Sequence, residues 1–298
     1  MPVGVMFPGQ GAQRPGLGEN WQDDEVWSVV SRAEQVLGRD LGALLLDPSA
    51  SLDRTEDAQL AVLLSSLMAW KKLGSALGEP VAFAGHSLGQ VTALIAAGTL
   101  PFDEGLRLAA RRARHTQQAA DRTQGRMVAL LGATDEQAAA VCAAAPQACW
   151  VANDNAPGQI VVAGTPDGLE AAVAAAPAAG VRRTVALQVG GAFHTPLMEE
   201  ARQAFAADLE HVALADTATP VVSNGDGRSY RDGAGWRRRL ADHLVHPVRW
   251  RHSVETLAHL GATELVEVGP GATLAGLARR ILPSMPVRST DDLTAVTA

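Results

Sequence analysis

The sequence lacks the apolar segments that membrane-spanning and secreted proteins carry. No uninterrupted apolar run of about 18 residues is present, and the N-terminus has no basic segment followed by an apolar one. We therefore expect neither a membrane-spanning helix nor secretion. Cysteine is also scarce, with Cys142 and Cys149 alone, and their spacing matches no metal-binding pattern. We expect both to be ordinary structural residues of a cytoplasmic protein without a metal site.

A net positive charge is missing as well. The formal net charge of the 298 residues is -7, because 32 acidic side chains outnumber 25 basic ones. Proteins that bind nucleic acids usually carry basic residues that neutralise phosphates, so we expect no nucleic-acid partner. Short basic clusters remain, such as Arg279 and Arg280. Such a cluster could dock an acidic protein, although a solvated helix face is the commoner reason for one.

The composition that is present is that of a globular α/β protein. Hydrophobic residues make up 47% of the chain and charged residues 19%, which are ordinary values. Predicted strands at Val3–Phe7 and 81–84 alternate with predicted helices. One of these is a long apolar helix that ends near Lys72, with Asp57 as its N-cap. The alternation predicts a largely parallel sheet.

The pattern changes between about residues 125 and 190. Here the predicted order is β-α-β-β-α-β, which is typical of a ferredoxin-like unit. The chain is long for a single core, so a second, smaller unit is expected. We therefore predict a large α/β-hydrolase-like subdomain with a mostly parallel sheet, formed by residues 1–124 and 191–298. The inserted small subdomain, residues 125–190, is predicted to be ferredoxin-like.

A candidate nucleophile lies in the segment GHSLG at residues 85–89, which has the form G-x-S-x-G. The segment follows a predicted buried strand and precedes an apolar helix, which is the setting of a nucleophile elbow. There the glycines allow a sharp turn, and the helix N-terminus can stabilise an oxyanion beside Ser87. Because glycine and serine are also common in loops, a plain turn is the competing interpretation.

A serine nucleophile needs a base, and the chain has eight histidines. His194 differs from the others because it lies on a predicted loop between a strand and a helix, where the catalytic groups of α/β sheets collect. The spacing of the two residues in the sequence does not by itself show that His194 contacts Ser87. A surface histidine, or one with a structural hydrogen bond, is the general alternative.

Six short segments are spread over nearly the whole chain. They are FPGQGAQ at residues 7–13, GHSLG at 85–89, NDNAPGQ at 153–159, GAFHTPLM at 191–198, PVRW at 247–250 and EVGPG at 267–271. Together they resemble one enzyme family and follow its order: the chain is similar to the malonyl-CoA:acyl carrier protein transacylases and to the related acyltransferase domains of polyketide synthases.

The resemblance implies the catalytic groups. Ser87 would attack a thioester, and His194 would take the serine proton. The backbone amides of Gln10 and Leu88 would form the oxyanion hole. The family orients its histidine through a backbone carbonyl, here that of His243, so no catalytic aspartate is expected.

Two positions depart from the commonest family pattern. Gln90 stands where many relatives have glutamate, and His243 replaces the usual glutamine. If His243 contributes only its carbonyl group, its side chain should matter little to the rate. The departures leave open a related enzyme that carries an unusual acyl or aminoacyl unit.

The resemblance also implies a site for the malonyl carboxylate. It places an arginine on the helix after the elbow, at Arg112, where a guanidinium can hold a carboxylate by two hydrogen bonds. Arg111 and Arg114 are close enough in sequence for the assignment to shift to one of them. A solvated helix face is the alternative for Arg112.

Other residues are implied in positioning the substrate. His86 lies beside the nucleophile, and Asn155 belongs to the third segment, with Asn153 nearby. Local turn hydrogen bonds are the alternative for the two asparagines. In the polyketide relatives, a phenylalanine before the histidine accompanies malonyl and a serine accompanies methylmalonyl. Phe193 therefore favours malonyl.

The implied activity is transfer of malonyl from malonyl-CoA to the phosphopantetheine thiol of a holo acyl carrier protein, in fatty-acid or polyketide synthesis. The coenzyme A thioester is a substrate, and no bound cofactor is expected. Arg279 and Arg280 are candidates for docking the acidic carrier protein. One alternative is an editing hydrolase, which would not need Arg112. Another is a non-catalytic docking module, which the intact Ser87 and His194 oppose.

Overall fold

The structure is a computed structural model, and it describes residues 1–290. Its strands, numbered along the chain, are β1 (Val3–Phe7), β2 (Pro80–Gly85), β3 (Arg126–Leu131), β4 (Cys149–Ala156), β5 (Gln159–Gly164), β6 (Arg183–Ala186), β7 (Val221–Val222), β8 (Ser229–Tyr230), β9 (Val248–Arg249), β10 (Glu264–Glu267) and β11 (Val287–Ser289). Its α-helices are α1 (Ser28–Leu37), α2 (Gly42–Leu46), α3 (Thr55–Leu73), α4 (Gly89–Ala96), α5 (Phe102–Arg122), α6 (Asp135–Ala143), α7 (Pro166–Ala175), α8 (Glu199–Leu209), α9 (Trp236–Asp242), α10 (Trp250–His259) and α11 (Thr273–Ile281).

Six strands form a mostly parallel sheet in the order β11-β10-β1-β2-β7-β8. Neighbouring strands from β11 to β7 are parallel, and the β7–β8 pair is antiparallel. The five residues of β1 are all buried, as expected for a parallel strand that is covered on both faces. Because β1, β2 and β7 run in the same direction, their carboxyl ends lie along one edge of the sheet. Ligands of α/β sheets bind at this edge.

Five strands form a second, mostly antiparallel sheet in the order β6-β3-β5-β4-β9. The first four pair antiparallel, and β9 joins β4 in parallel. Along the chain, β3-α6-β4-β5-α7-β6 follows the predicted β-α-β-β-α-β order. Thr134 and Gln137 form a capping box at α6, and Thr165 caps α7 ahead of Pro166. The predicted combination of a mostly parallel sheet and a smaller antiparallel unit is confirmed.

The two sheets are connected through β9. Strands β3 to β6 come from residues 126–186, but β9 comes from Val248–Arg249, late in the chain. The antiparallel sheet therefore extends beyond the inserted segment. The division of the chain into residues 125–190 and the remainder stays a prediction.

Helix α3 lies in the core. It begins at Thr55 with Arg54 at the cap position and no side-chain cap, so the prediction of Asp57 as the N-cap is wrong. The carboxylate of Asp57 pairs with Arg39 instead. By length and composition alone, Thr55–Leu77 is one segment that could cross a membrane, yet most of it is buried inside the protein. A helix that is apolar on all sides is typical of a globular core.

Candidate active site

Ser87 lies on a tight turn between β2 and α4. Its φ is 52°, in the left-handed region, which costs a non-glycine residue on the order of 1–3 kcal/mol. A Cβ atom at Gly85 would lie 1.9 Å from the carbonyl oxygen of Gly89, and one at Gly89 would lie 2.2 Å from that of Phe7. Both positions therefore require glycine. The segment has the strand–turn–helix geometry of a nucleophile elbow.

The fold brings His194 to Ser87 although they are 107 positions apart. Nε2 of His194 lies 2.8 Å from the Ser87 Oγ, and Nδ1 lies 2.9 Å from the carbonyl oxygen of His243. A carbonyl oxygen only accepts hydrogen bonds, so Nδ1 carries the proton. Nε2 is then left to accept the serine O–H. This arrangement can remove the hydroxyl proton during nucleophilic attack.

The surroundings keep His194 neutral. Burial, together with the nearby Arg112 cation, lowers the pKa of His194 to about 3, against the opposing effect of the hydrogen bond to the His243 carbonyl. The His243 ring packs against the His194 ring with centres 4.7 Å apart. Burial also lowers the pKa of His243 well below its usual value. Because the neutral imidazole is the form that accepts a proton, His194 is ready to act as a base at neutral pH.

The amides of Gln10 and Leu88 are available to an oxyanion. Gln10 follows β1 and lines the cavity that contains Ser87 and His194, and Leu88 follows the serine directly. Neither amide donates a hydrogen bond to another group within residues 1–290. The amide of Ser87 is already used, since it donates to Oδ1 of Asn224 at 2.8 Å. Unpartnered N–H groups beside a nucleophile can stabilise a developing oxyanion.

Arg112 is the arginine of α5 that reaches the nucleophile. Its Nη2 donates to the Ser87 Oγ at 3.1 Å, and its Nη1 donates to Oε1 of Gln59 at 2.6 Å. Burial lowers its pKa to about 10, so the guanidinium stays charged at neutral pH. Arg111 instead pairs with Asp208 at 3.3 Å and is exposed. A buried guanidinium beside the serine suits a substrate that carries a carboxylate.

The two sheets meet beside the nucleophile at His86. Its Nε2 lies 2.9 Å from Oδ1 of Asn155 on β4, and its ring packs edge-on against Trp250. Burial lowers the pKa of His86, which favours the neutral ring. Asn153 and Asn155 both line the cavity. Strand β4 therefore brings polar groups from the antiparallel sheet to the residue that precedes Ser87.

A cavity of about 270 Å³ contains these groups. Ser87, His194 and Arg112 line it together, and Phe193 forms part of its wall. The apolar wall from the antiparallel sheet and the segment that follows it consists of Met127, Val161, Leu187 and Val189. A mostly apolar cavity with a few converging polar groups is typical of a small-molecule site.

The two candidate docking arginines lie near the end of α11. Arg280 donates to Oε1 of Gln159 at 2.5 Å and to the carbonyl oxygen of Pro157 at 2.6 Å. Arg280 thus connects α11 with the turn between β4 and β5. Its partner Gln159 lines the cavity. Arg279 donates to the carbonyl oxygen of Val287 at 2.9 Å. Their role in docking a carrier protein stays a prediction.

Two polar side chains near Ser87 were not predicted. Gln59 is 3% exposed on α3 and accepts a hydrogen bond from Arg112. A polar residue inside an apolar helix is a signal that could have found it. Asn224 is fully buried and binds the amide of Ser87. Its segment, SNGDG, has the composition of a surface turn, so local sequence does not reveal the contact.

The pairing of Ser87 with His194 at the carboxyl edge of a mostly parallel sheet is typical of a class of enzymes that form an acyl ester on serine, which includes acyltransferases and hydrolases. Within the described residues, no group of three or more His, Cys, Asp or Glu side chains is placed to hold a metal ion.

Known proteins are similar to this chain in sequence and in fold. The model of the acyl transferase domain family matches residues 5–294. The chain is 35% identical over 299 residues to the malonyl CoA-acyl carrier protein transacylase of Salmonella typhimurium, covering 98% of this chain and 97% of that protein. An acyl carrier protein S-malonyltransferase from Vibrio cholerae superposes with a TM-score of 0.93 at 33% identity, covering 99% of this chain and 100% of that one. A malonyl-transacylase in complex with its type II polyketide synthase acyl carrier protein gives 0.90 at 32% identity, covering 97% and 95%.

The chain therefore belongs to the acyl transferase domain family. The resemblance to malonyl-CoA:acyl carrier protein transacylases, predicted from six short segments, is confirmed over nearly the full length.

Proposed function

We propose that this protein transfers the malonyl group of malonyl-CoA to the phosphopantetheine thiol of an acyl carrier protein, in fatty-acid or type II polyketide synthesis. The observation that carries the proposal is the Arg112 guanidinium, which donates to the Ser87 hydroxyl at 3.1 Å inside the cavity. A buried cation is costly without an anionic partner, and the malonyl carboxylate supplies one. A neutral acyl group does not.

In the first half-reaction, Ser87 attacks the thioester carbonyl of malonyl-CoA while His194 Nε2 takes the hydroxyl proton. The tetrahedral oxyanion accepts hydrogen bonds from the amides of Gln10 and Leu88. Collapse of this intermediate breaks the C–S bond and forms the malonyl ester of Ser87. The proton on His194 passes to the sulfur, and coenzyme A leaves as the thiol.

In the second half-reaction, the thiol of the phosphopantetheine arm replaces coenzyme A. His194 takes the thiol proton as the sulfur attacks the ester carbonyl, and the same two amides receive the oxyanion. Collapse breaks the C–O bond, and the proton returns to the oxygen of Ser87. The carrier protein leaves with the malonyl thioester, so the mechanism is ping-pong and needs no bound cofactor.

The remaining predicted residues have roles in substrate choice and docking. His86 and Asn155 position the acyl chain, and the Phe193 ring fills the space that an α-methyl branch would need. Arg279 and Arg280 dock the acidic carrier protein. The enzyme acts in the cytoplasm, an assignment that its free cysteine thiols support.

Intact-protein mass spectrometry after brief exposure to malonyl-, methylmalonyl- or acetyl-CoA tests the proposal. We expect a malonyl adduct on the parent protein that disappears when holo carrier protein is added. Ser87→Ala should carry no adduct, and Arg112→Ala should carry little. Arg111→Ala is the matched control, because it removes an exposed arginine from the same helix, and it should load like the parent.

Two results would contradict the proposal. Equal loading of acetyl and malonyl groups, unaffected by Arg112→Ala, would indicate an enzyme for other acyl units. An adduct that water removes as fast as the carrier protein does would indicate an editing hydrolase.

A further inference from the structure

Asn224 lies beside the nucleophile elbow at the edge of the parallel sheet. It follows β7, which pairs in parallel with β2, the strand that leads into the elbow. The residues just after these two strands are therefore lateral neighbours. Asn224 is fully buried, although its segment resembles a surface turn.

The side-chain amide of Asn224 bridges the two peptide groups on either side of His86 in the elbow. Its Nδ2 donates to the carbonyl oxygen of Gly85 at 2.7 Å, and its Oδ1 accepts from the amide of Ser87 at 2.8 Å. These two peptide groups enclose His86. One carboxamide thus restrains the peptide before His86 and the peptide after it, which orients the backbone that carries the Ser87 hydroxyl.

The backbone of Asn224 is itself held on both sides. Its N–H donates to Oε1 of Gln90 at 2.8 Å, and the same Gln90 side chain donates through Nε2 to the carbonyl oxygen of Val222 at 2.7 Å. Its carbonyl oxygen accepts from the amide of Arg249 at 2.8 Å. Arg249 belongs to β9, which pairs with β4 of the antiparallel sheet. Asn224 therefore connects the elbow with helix α4 and with the strand that joins the two sheets.

We infer that Asn224 is a positioning residue for acyl transfer: its carboxamide holds Ser87 in the left-handed conformation and keeps the Ser87 amide away from the oxyanion. This inference rests on the proposed function, since it concerns the serine that carries the acyl group. With φ at 52°, Ser87 has a backbone that would otherwise relax toward a commoner region. The Asn224 bridge opposes that relaxation, and it leaves the amides of Leu88 and Gln10 as the oxyanion donors.

The bridge requires a carboxamide. The group must donate to one peptide and accept from another while remaining neutral, and asparagine does both. An ionised aspartate of the same shape could accept from Ser87 but would place a negative oxygen against the carbonyl of Gly85. An alanine would leave both buried peptide groups without partners.

The variants Asn224→Asp and Asn224→Ala test the inference. Asn224→Asp is nearly isosteric, so it keeps the test informative if the alanine variant fails to fold. The matched control is Thr217→Val. The Thr217 hydroxyl donates to the carbonyl oxygen of Ala97 at 2.7 Å, so it connects the segment before β7 with the far end of α4, away from Ser87.

Two rates are measured for each folded variant. One is single-turnover acylation by malonyl-CoA over a range of concentrations, which separates the maximal rate constant of acylation from the apparent KM for malonyl-CoA. The other is labelling by a small fluorophosphonate, in which the Ser87 oxygen displaces fluoride from phosphorus without using the malonyl site. Circular dichroism and urea unfolding report folding and stability.

We expect Asn224→Asp to lower both rates by roughly 100-fold while KM for malonyl-CoA changes little, because a nucleophile misplaced by about 1 Å loses rate on that scale. Thr217→Val should lose stability and keep both rates. Because a buried aspartate can keep its proton and imitate the amide, the rates are compared from pH 6 to 9. Parental rates over that whole range in a folded Asn224→Asp variant would overturn the inference, and so would a loss confined to KM. An equal loss of rate in Thr217→Val would also overturn it, since a general structural effect would then explain both.

Failure of the proposed function gives a different result. If the parent protein reacts with fluorophosphonate but never with malonyl-CoA, the substrate is wrong, and the labelling rates still decide the role of Asn224.

Discussion

The parallel and antiparallel sheets contribute to the cavity in different ways. The parallel sheet supplies reactive groups at its edge: Ser87 follows β2 and Gln10 follows β1. The antiparallel sheet supplies a wall from one of its faces, with Met127 on β3 and Val161 on β5. The carboxyl ends of parallel strands meet along one edge, so loops from distant parts of the chain converge there. Neighbouring antiparallel strands end at opposite edges, so they present a face instead.

The two sheets therefore divide the cavity between them: one positions the groups proposed to react, and the other forms the wall around the substrate. The reacting groups depend on loop geometry at single positions, such as the left-handed Ser87 and His194. The wall depends on the alternation of side chains along strands, which tolerates substitution more easily. Substitutions at the edge of the parallel sheet should therefore abolish acyl transfer. Substitutions in the wall formed by the antiparallel sheet should instead change the affinity for substrate.

The largest effect is expected at the edge of the parallel sheet. Ser87→Ala removes the proposed nucleophile and His194→Ala removes the proposed base, so each should lower malonyl transfer by about 10⁴-fold or more. Transfer to holo carrier protein measures the loss, with unfolding curves as the control for folding. A folded Ser87→Ala variant that retained more than about 1% of the activity would show that the acyl group is carried elsewhere.

The next largest effect is expected in the pH dependence of His194, which lies beside Ser87 at the edge of the parallel sheet. The pKa of His194 is lowered to about 3 from 6.5, so the neutral, active base should persist well below pH 6.5. The Arg112 cation contributes to this lowering. Arg112→Gln removes the cation, which favours the imidazolium, raises the pKa of His194 and moves the acid limb of activity to higher pH.

Fluorophosphonate labelling between about pH 2.5 and 8, with circular dichroism to show that the protein stays folded, measures this limb without depending on malonyl binding. Arg111→Gln is the control and should leave the limb where it is, because Arg111 pairs with Asp208 on the surface. An acid limb that stays in place or moves to lower pH in Arg112→Gln would refute the assigned electrostatic effect.

A smaller effect is expected for the polar group that the antiparallel sheet contributes. Asn155→Ala removes the partner of His86 Nε2 at 2.9 Å but no reacting group. We expect roughly a tenfold loss in kcat/KM for malonyl-CoA, since one buried hydrogen bond is lost. Initial rates at varied malonyl-CoA concentrations measure it. A loss as large as that of Ser87→Ala would contradict the hypothesis that the reacting groups lie at the edge of the parallel sheet and that the antiparallel sheet contributes only to binding.

The smallest effect is expected for His243→Gln. The carbonyl that accepts from His194 Nδ1 belongs to the backbone and survives the substitution. The lost ring packs against His194 but makes no side-chain hydrogen bond through Nε2 in the described structure. We expect less than about a threefold change in kcat, because the hydrogen bond that orients the base is kept. A loss of tenfold or more would assign a role to the imidazole ring itself.

The two sheets and the turn at Ser87 could be predicted from the sequence, because each depends on patterns among residues that are close together along the chain. The alternation of strands and helices predicted the two sheets, and the G-x-S-x-G segment predicted the turn at Ser87. The boundary of α3 was missed at Asp57, because an acidic residue favours the whole first turn of a helix and not only its cap. Asn224 was missed because its partners, Gly85 and Ser87, are more than a hundred positions away.

By itself, the sequence determined the family, the fold class and the elbow, since sterics and hydrophobic periodicity act between residues that are close along the chain. Glycine at positions 85 and 89, for example, is required by the backbone contacts of the turn it makes. Only the tertiary structure decided which polar groups meet: His194 with Ser87, Arg112 instead of Arg111 beside the hydroxyl, and the amide of Asn224 across the elbow. The reason is physical. Hydrogen bonds act over about 3 Å, and only the packing of the sheets brings residues from distant segments within that range.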